Sequence, residues 1–343
     1  MMMSSATLFP ATSGNASAVT LEAMSTSLPV QENPPPQRNP LACPLTLAWH
    51  DHQFKTSDGL WFTFHVAHPQ HPHPTGRACL FFMGLGGSNL VARPFFEHLS
   101  AGFDTLVVLD LRGFGHQRFA FDTLRSFKQL WNDANALWQH LRQHPHPIFE
   151  TNHPQEWTLM GLSLGGLLAT LLAKQHPQQF QRLCLLAPAF KPNAQRFPPT
   201  FIAQTLWRWL TGQAPVMTLP YGLDAITRQA ELVKSIFSQY WPEFATKANQ
   251  PVQQPTRFML SVLPYQWLAQ WQLPRLTQAT CWVIPEADTV IDSQQSVKLF
   301  EKLAWPYVGQ HQLLLYPHCY HDVVLEPELA MIADDIHHWL KLT

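Results

Sequence analysis

The sequence predicts an α/β chain, with a mostly parallel central sheet, helices on both faces and a helical insertion late in the chain. From Leu45 onward, short apolar or alternating runs recur between amphipathic stretches, the pattern of strands covered by helices. The apolar run Trp157 to Met160 leads through Gly161-Leu162-Ser163-Leu164-Gly165 straight into a long apolar helix candidate, a strand-turn-helix junction. Between Lys191 and Leu276 the alternation breaks down, and Phe, Trp, Pro and Gln dominate before the strand pattern resumes.

Each element follows in order. Residues 1–44 are rich in Ser, Thr, Ala and Pro and run through Pro34-Pro35-Pro36 without an amphipathic period, so a disordered tail is expected. Strands are expected over Leu47 to Phe54 and Leu60 to Ala67, forming an antiparallel hairpin, and over Ala78 to Met83, Thr105 to Asp110, Glu156 to Gly161 and Arg182 to Leu186. Two more, Thr280 to Ile284 and Gln312 to Tyr316, come after the insertion. Helices fill the gaps at Val91 to Ala101, Leu124 to His144, Leu164 to His176, Ser293 to Leu303 and Pro327 to Leu342. The organisation is then a tail (1–44), a first part of the core (45–190), a helical lid insertion (191–276) and a second part of the core (277–343).

Composition narrows the function classes. The 343 residues are 46% hydrophobic and only 13% charged, with 13 Trp and 22 Phe, enough apolar material for a sizeable core and an apolar ligand site. A formal net charge of -1 and the absence of a polybasic tract give no reason to expect nucleic acid as a partner, and no protein partner is implied. The charge is uneven, however. Residues 191–276 carry eight basic and three acidic side chains, net +5, against -6 for the rest. A basic, aromatic cap suits peripheral contact with anionic headgroups at a membrane surface, and a solvated helical face gives the same pattern.

No stretch of about 20 apolar residues occurs to span a bilayer. No basic segment followed by an apolar one opens the chain to act as a secretory signal, so a cytoplasmic protein, at most peripheral to the inner face of a membrane, is expected. The five cysteines have no metal or disulfide-framework spacing, and three lie in apolar runs that read as core strands, in keeping with reduced thiols. His68, His71 and His73 alternate with prolines and have no carboxylate nearby, which reads as a surface connection. No metal site is expected there.

The chemistry centres on Ser163. Glycines on either side of a serine at a sharp strand-to-helix turn allow the backbone to fold tightly and force the hydroxyl outward. The following helix carries Gly165 and Gly166 in its first turn, and its N-terminus adds partial positive charge beneath a developing oxyanion. A serine hydroxyl still needs a base to accept its proton and an acid to orient that base, and in sheets of this type the chain order is Ser, acid, His. Asp288, in the acidic loop Glu286 to Asp292 after the run Thr280 to Pro285, is the candidate acid, with Glu286 a weaker alternative and Asp292 better read as a helix N-cap. His321, between the last strand and the C-terminal helix, is the candidate base ahead of His318. Backbone N–H groups of Leu85, in Met83-Gly84-Leu85-Gly86-Gly87-Ser88, and of Leu164 are the candidate oxyanion donors. Those glycines are not a nucleotide-phosphate loop, because the Lys-Ser/Thr ending is missing. Asp110-Leu111-Arg112-Gly113-Phe114-Gly115 reads as a tight turn that positions the oxyanion loop.

Taken together, the serine turn, Gly84-Leu85-Gly86-Gly87, Asp110 to Gly115, Glu286-Ala287-Asp288 and Tyr320-His321-Asp322 resemble the α/β-hydrolase superfamily. Within it, Leu315 to His321 followed by Glu326-Pro327-Glu328 looks like the monoacylglycerol lipase and bacterial lysophospholipase group, over about Leu45 to Leu342. The chain departs from the group in having Met83-Gly84 where His-Gly is usual, and His116-Gln117 after the Arg-Gly-x-Gly turn. The resemblance implies the α/β-hydrolase fold and hydrolysis of an ester of a small single-chain lipid, without metal or organic cofactor. Ser163, Asp288 and His321 would form the triad. The lid aromatics Phe197, Phe201, Trp207 and Trp209 would bury the acyl chain.

Overall fold

A computed structural model describes residues 47–69, 74–149, 154–213, 215–240, 253–303 and 311–343. The expected disorder of the tail and the surface reading of His71 and His73 concern residues outside this set. The strands are β1 (Trp49–Lys55), β2 (Trp61–Ala67), β3 (Arg77–Phe82), β4 (Thr105–Leu109), β5 (Glu156–Leu162), β6 (Arg182–Leu186), β7 (Val216–Thr218), β8 (Gln253–Pro255), β9 (Ala279–Pro285) and β10 (His311–Tyr316). The helices are α1 (Asn89–Leu99), α2 (Phe127–Gln143), α3 (Pro145–Ile148), α4 (Leu164–Gln175), α5 (Pro199–Leu210), α6 (Ala230–Tyr240), α7 (Thr256–Gln272), α8 (Ser293–Glu301) and α9 (Leu329–Leu342).

Eight strands form one sheet in the order β1-β2-β4-β3-β5-β6-β9-β10. The hairpin β1–β2 pairs antiparallel, as does β2 with β4, while every pairing from β4 to β10 is parallel. Parallel strands are buried on both faces, and their alternate side chains enter two different cores. Leu80, Phe82, Leu159, Leu183 and Trp282 pack with Leu130, Leu137 and Leu168 of α2 and α4. Cys79, Phe81, Met160, Cys184 and Cys281 pack with Phe95, Phe96, Ile332 and Trp339 of α1 and α9. The thiols of Cys79, Cys184, Cys281 and Cys319 are free and buried.

The helix ends follow local chemistry. Helix α2 begins at Phe127 rather than Leu124, because Ser126 and Gln129 form a reciprocal capping box. Asp292 caps α8 by accepting Gln295 N–H at 2.9 Å.

The segment 191–276 contains α5, α6 and α7, and also an antiparallel ribbon of β7 and β8 that the sequence pattern did not reveal. Strands of three residues are too short to show a period-two signal. The segment also reaches into both cores. Phe258, Val262 and Ala269 of α7 join the core of α2 and α4, and Ser261 Oγ accepts Phe127 N–H at 2.7 Å. Val233 and Phe237 of α6 join the opposite core. Among the described residues, no helix is long and apolar enough to cross a membrane.

Candidate active site

In this sheet, β3 has neighbours β4 and β5 that follow it in sequence on opposite sides. Such a switch point opens a crevice at the carboxyl ends of the strands. Four loops meet there: Met83 to Ser88 after β3, Ser163 after β5, the Asp288 loop after β9 and the His321 loop after β10.

Ser163 has φ 53° and ψ -115°, a left-handed backbone that is strained for a residue with a side chain. Its neighbours explain how the turn persists. A Cβ on Gly161 would lie 2.2 Å from the Gly165 carbonyl oxygen, and one on Gly165 would lie 2.2 Å from the Phe82 carbonyl oxygen. Both positions therefore require glycine on steric grounds, and the resulting contact brings β3, β5 and α4 together. Ser163 N–H donates to Leu186 O at 2.8 Å and its carbonyl accepts Ala189 N–H at 3.0 Å, holding the turn from β6.

Ser163 Oγ lies 2.8 Å from His321 Nε2. His321 Nδ1 lies 2.7 Å from Asp288 Oδ2. The other Asp288 oxygen accepts Val290 N–H at 2.7 Å and Ile291 N–H at 3.0 Å. The carboxylate is thus oriented by its own loop and the imidazole by the carboxylate. Burial opposes a charge on His321, but the Asp288 carboxylate, through charge and hydrogen bond, and Asp322 outweigh it and raise the His321 pKa above its ordinary value. Glu286 is exposed and so is His318; neither is hydrogen-bonded to Ser163 or His321 among the described residues.

Leu85 and Leu164 both line the cavity beside Ser163. The Leu164 N–H belongs to the first residue of α4, where a helix leaves its donors unpaired. Among the described residues neither Leu85 N–H nor Leu164 N–H has an acceptor, so both are available to a ligand oxygen. Gly84 packs directly on Ser163, where a Cβ would stand 3.4 Å from the serine Cβ.

The cavity encloses about 810 Å³ with its open mouth included. Phe197 and Phe201 line it, together with Ile202, Met217, Met259 and Leu263. Trp207 and Trp209 do not. Trp207 is 66% exposed and Trp209 37%. On α5, Thr205 continues the inward face of Phe201, while Trp207 lies on the opposite side and Trp209 about two turns beyond Phe201. Met259, Val262, Leu263 and Gln266 of α7 were not singled out from the sequence, although their spacing is that of one helical face.

Asp322 was also missed. It is buried, and burial together with Glu326 pushes its carboxyl up to about 7 against the opposing pull of His321. Its position immediately after the candidate base was the available signal. The loop it shares with His321 is braced from the segment 191–276: Asp322 N–H donates to Ile226 O at 2.8 Å, and Arg228 Nε donates to the buried Glu326 at 2.7 Å. The other Glu326 oxygen accepts Arg228 N–H at 2.8 Å, and Tyr320 N–H lies 3.2 Å from the oxygen that Arg228 Nε reaches.

No curated protein matches the chain in sequence. Among solved structures, a soluble variant of monoglyceride lipase from Saccharomyces cerevisiae, in complex with a substrate analogue, aligns at TM-score 0.64 and 16% identity, over 90% of this chain and 100% of that one. The monoacylglycerol lipase of Paleococcus ferrophilus aligns at TM-score 0.60 and 16% identity, covering 86% and 100%. The thioesterase domain from the curacin biosynthetic pathway aligns at 0.51 and 15%, covering 84% and 98%. These likenesses establish the α/β-hydrolase fold. A family model described as serine aminopeptidase, S33, matches residues 73–328, most of the sequence, and the chain therefore belongs to this family of α/β hydrolases.

Proposed function

We propose that the protein is a serine esterase that cleaves a monoacylglycerol or lysophospholipid through an acyl-enzyme intermediate. The observation that carries the reading is the Ser163-His321-Asp288 hydrogen-bonded chain opening onto an apolar cavity. His321 takes the Ser163 proton as Oγ attacks the ester carbonyl, and Leu85 and Leu164 N–H groups receive the oxyanion. The imidazolium then protonates the leaving glycerol oxygen, and the neutral imidazole activates water to release the fatty acid.

The cavity lining favours an acyl chain over a peptide. An aminopeptidase holds its substrate's α-ammonium on the acyl side of the scissile bond, which calls for a carboxylate there. Among the described residues lining this cavity, none is acidic or basic. At about 0.8 kcal/mol per buried methylene, eight extra methylenes contribute several kcal/mol, so strong acyl-length preference is expected.

The outer face of the cap supports access from a bilayer. Trp207, Leu210 and Trp267 are each about two thirds exposed, α5 and α7 pack together, and Arg208 on α5 and Arg275, in the turn just past α7, are exposed. Indole rings with flanking cations suit an anionic interface. Trp207→Ala with Trp267→Ala is expected to lower rates on anionic vesicles and leave a soluble short-chain ester unaffected.

The deciding experiment is fatty-acid release from matched monoacylglycerol and lysophosphatidylethanolamine by wild type, Ser163→Ala and His321→Ala. Release by wild type that vanishes in both variants is expected. No release from either lipid, or rates flat across C4 to C16 acyl chains, would overturn the reading.

A further inference from the structure

Outside the Ser163 cleft, a chain of buried ionisable groups lies behind the oxyanion loop. His65 on β2 is fully buried, and its Nδ1 is 2.8 Å from Asp51 Oδ1 on β1. Its Nε2 has no hydrogen-bond partner and lies 3.8 Å from Asp110 Oδ2. Asp110, just past β4, is also fully buried. Onto this carboxylate converge Asn89 N–H at 2.6 Å, His116 N–H at 3.0 Å, His116 Nδ1 at 3.3 Å and the Ser88 hydroxyl at 3.4 Å. Gly115 is held so close that a Cβ there would stand 2.1 Å from Asp110 Oδ2.

The loop carrying Leu85 is thereby tied at both ends to neighbouring residues of one chain segment. Met83 N–H donates to Leu109 O at 3.1 Å, and Asn89 N–H donates to the Asp110 side chain. Burial pushes the Asp110 acid up, but the hydrogen bonds from His116 and the nearby His65 charge hold it well below the usual carboxylate range. Burial likewise opposes a proton on His65, yet Asp110 and Asp51 raise it to about 9. Arg93 and His116 are the other basic groups near Asp51. A metal is the competing occupant, since Asp51, His65 and His116 offer donor atoms within 4.8 Å of one another. The short Asp51 hydrogen bond already engages His65 Nδ1, and removal of metal with a chelator separates the two readings.

We propose that His65 is a positioning residue for the oxyanion hole. Buried between Asp51 at 2.8 Å and Asp110 at 3.8 Å, its ring fixes the Asp110 carboxylate, and Asp110 fixes the Asn89 end of the loop that presents Leu85 N–H. This rests on the esterase reading above.

The test compares wild type with His65→Gln and Asp110→Asn on a p-nitrophenyl ester, and measures binding of two ligands with matched acyl chains. One is a trifluoromethyl ketone, whose adduct with Ser163 places an oxyanion in the hole; the other is the corresponding secondary alcohol, which carries none. Displacing an oxyanion donor is expected to lower kcat about 10- to 100-fold with KM little changed. Ketone affinity falls by the same factor and alcohol affinity holds. Equal weakening of ketone and alcohol, or variants matching wild type, would overturn the role of His65, as would ketone binding by wild type that is lost on chelation with EDTA. If the buried substitutions prevent folding, Asp51→Asn at the exposed end of the chain is expected to weaken the ketone alone, by about threefold; no change there counts against the proposal. Wild type that neither cleaves the ester nor prefers ketone to alcohol would instead remove the esterase reading itself.

Discussion

Asp288→Asn tests the proposed triad at its most constrained point. One oxygen of Asp288 accepts two backbone N–H groups, from Val290 and Ile291, and the other faces His321 Nδ1 at 2.7 Å. An asparagine keeps the two backbone bonds only with its carbonyl oxygen in the first position, which turns its NH₂ toward Nδ1. The imidazole must then accept at Nδ1 and carry its proton on Nε2, where it faces Ser163 Oγ at 2.8 Å as a donor and no longer as a base. The opposite amide rotamer restores the tautomer but sets NH₂ against two N–H donors in a buried loop, each unmade bond costing about 1–3 kcal/mol. The wrong tautomer therefore prevails. A loss of about 10⁴ in kcat is expected, or about 5.5 kcal/mol of barrier, with KM little changed. Steady-state hydrolysis of a p-nitrophenyl ester measures it, with thermal unfolding alongside to check the fold. An Asn variant within tenfold of wild type would refute the orientation argument.

The other predictions are briefer. Because His321 must be neutral to accept the Ser163 proton and its pKa is raised by Asp288 and Asp322, the acid limb of kcat/KM is expected to have its midpoint above 6.5, the ordinary imidazole value. Activity is retained above that midpoint and lost as pH falls through it; a pH–rate profile with its midpoint below 6 would contradict the assignment. Gly165→Ala sets a methyl 2.2 Å from the Phe82 carbonyl, a backbone clash expected to cost about 3 kcal/mol or more; denaturant unfolding that shows less than about 1 kcal/mol would show that β3 and α4 separate easily.

Much of the fold is legible because the parallel strands are short, apolar and separated by periodic helices, so burial and backbone geometry leave the same trace in one dimension as in three. The serine turn is legible for a related reason: Gly161 and Gly165 are demanded by contacts with backbone atoms of neighbouring elements. The β7–β8 ribbon is not, since three-residue strands carry no period. Phe201 and Trp207 are both aromatic residues on α5, and composition cannot distinguish them; helix rotation puts the first in the cavity and the second in solvent. Asp288, Glu286 and Asp292 are chemically alike carboxylates in one acidic loop, ranked in the sequence by position alone; folding gives the first to His321, leaves the second exposed and makes the third a helix cap. His65 shows the limit most clearly. Its sequence neighbours are those of an ordinary strand, and its place between Asp51 and Asp110 arises only when β1, β2 and β4 pair. The sequence by itself determined the periodicity, the turn sterics and the chain order of nucleophile, acid and base, all set by residues close together or strictly ordered. Tertiary structure alone decided which of several chemically equal side chains meet, because charge and hydrogen-bond interactions act through distances that the chain order does not contain.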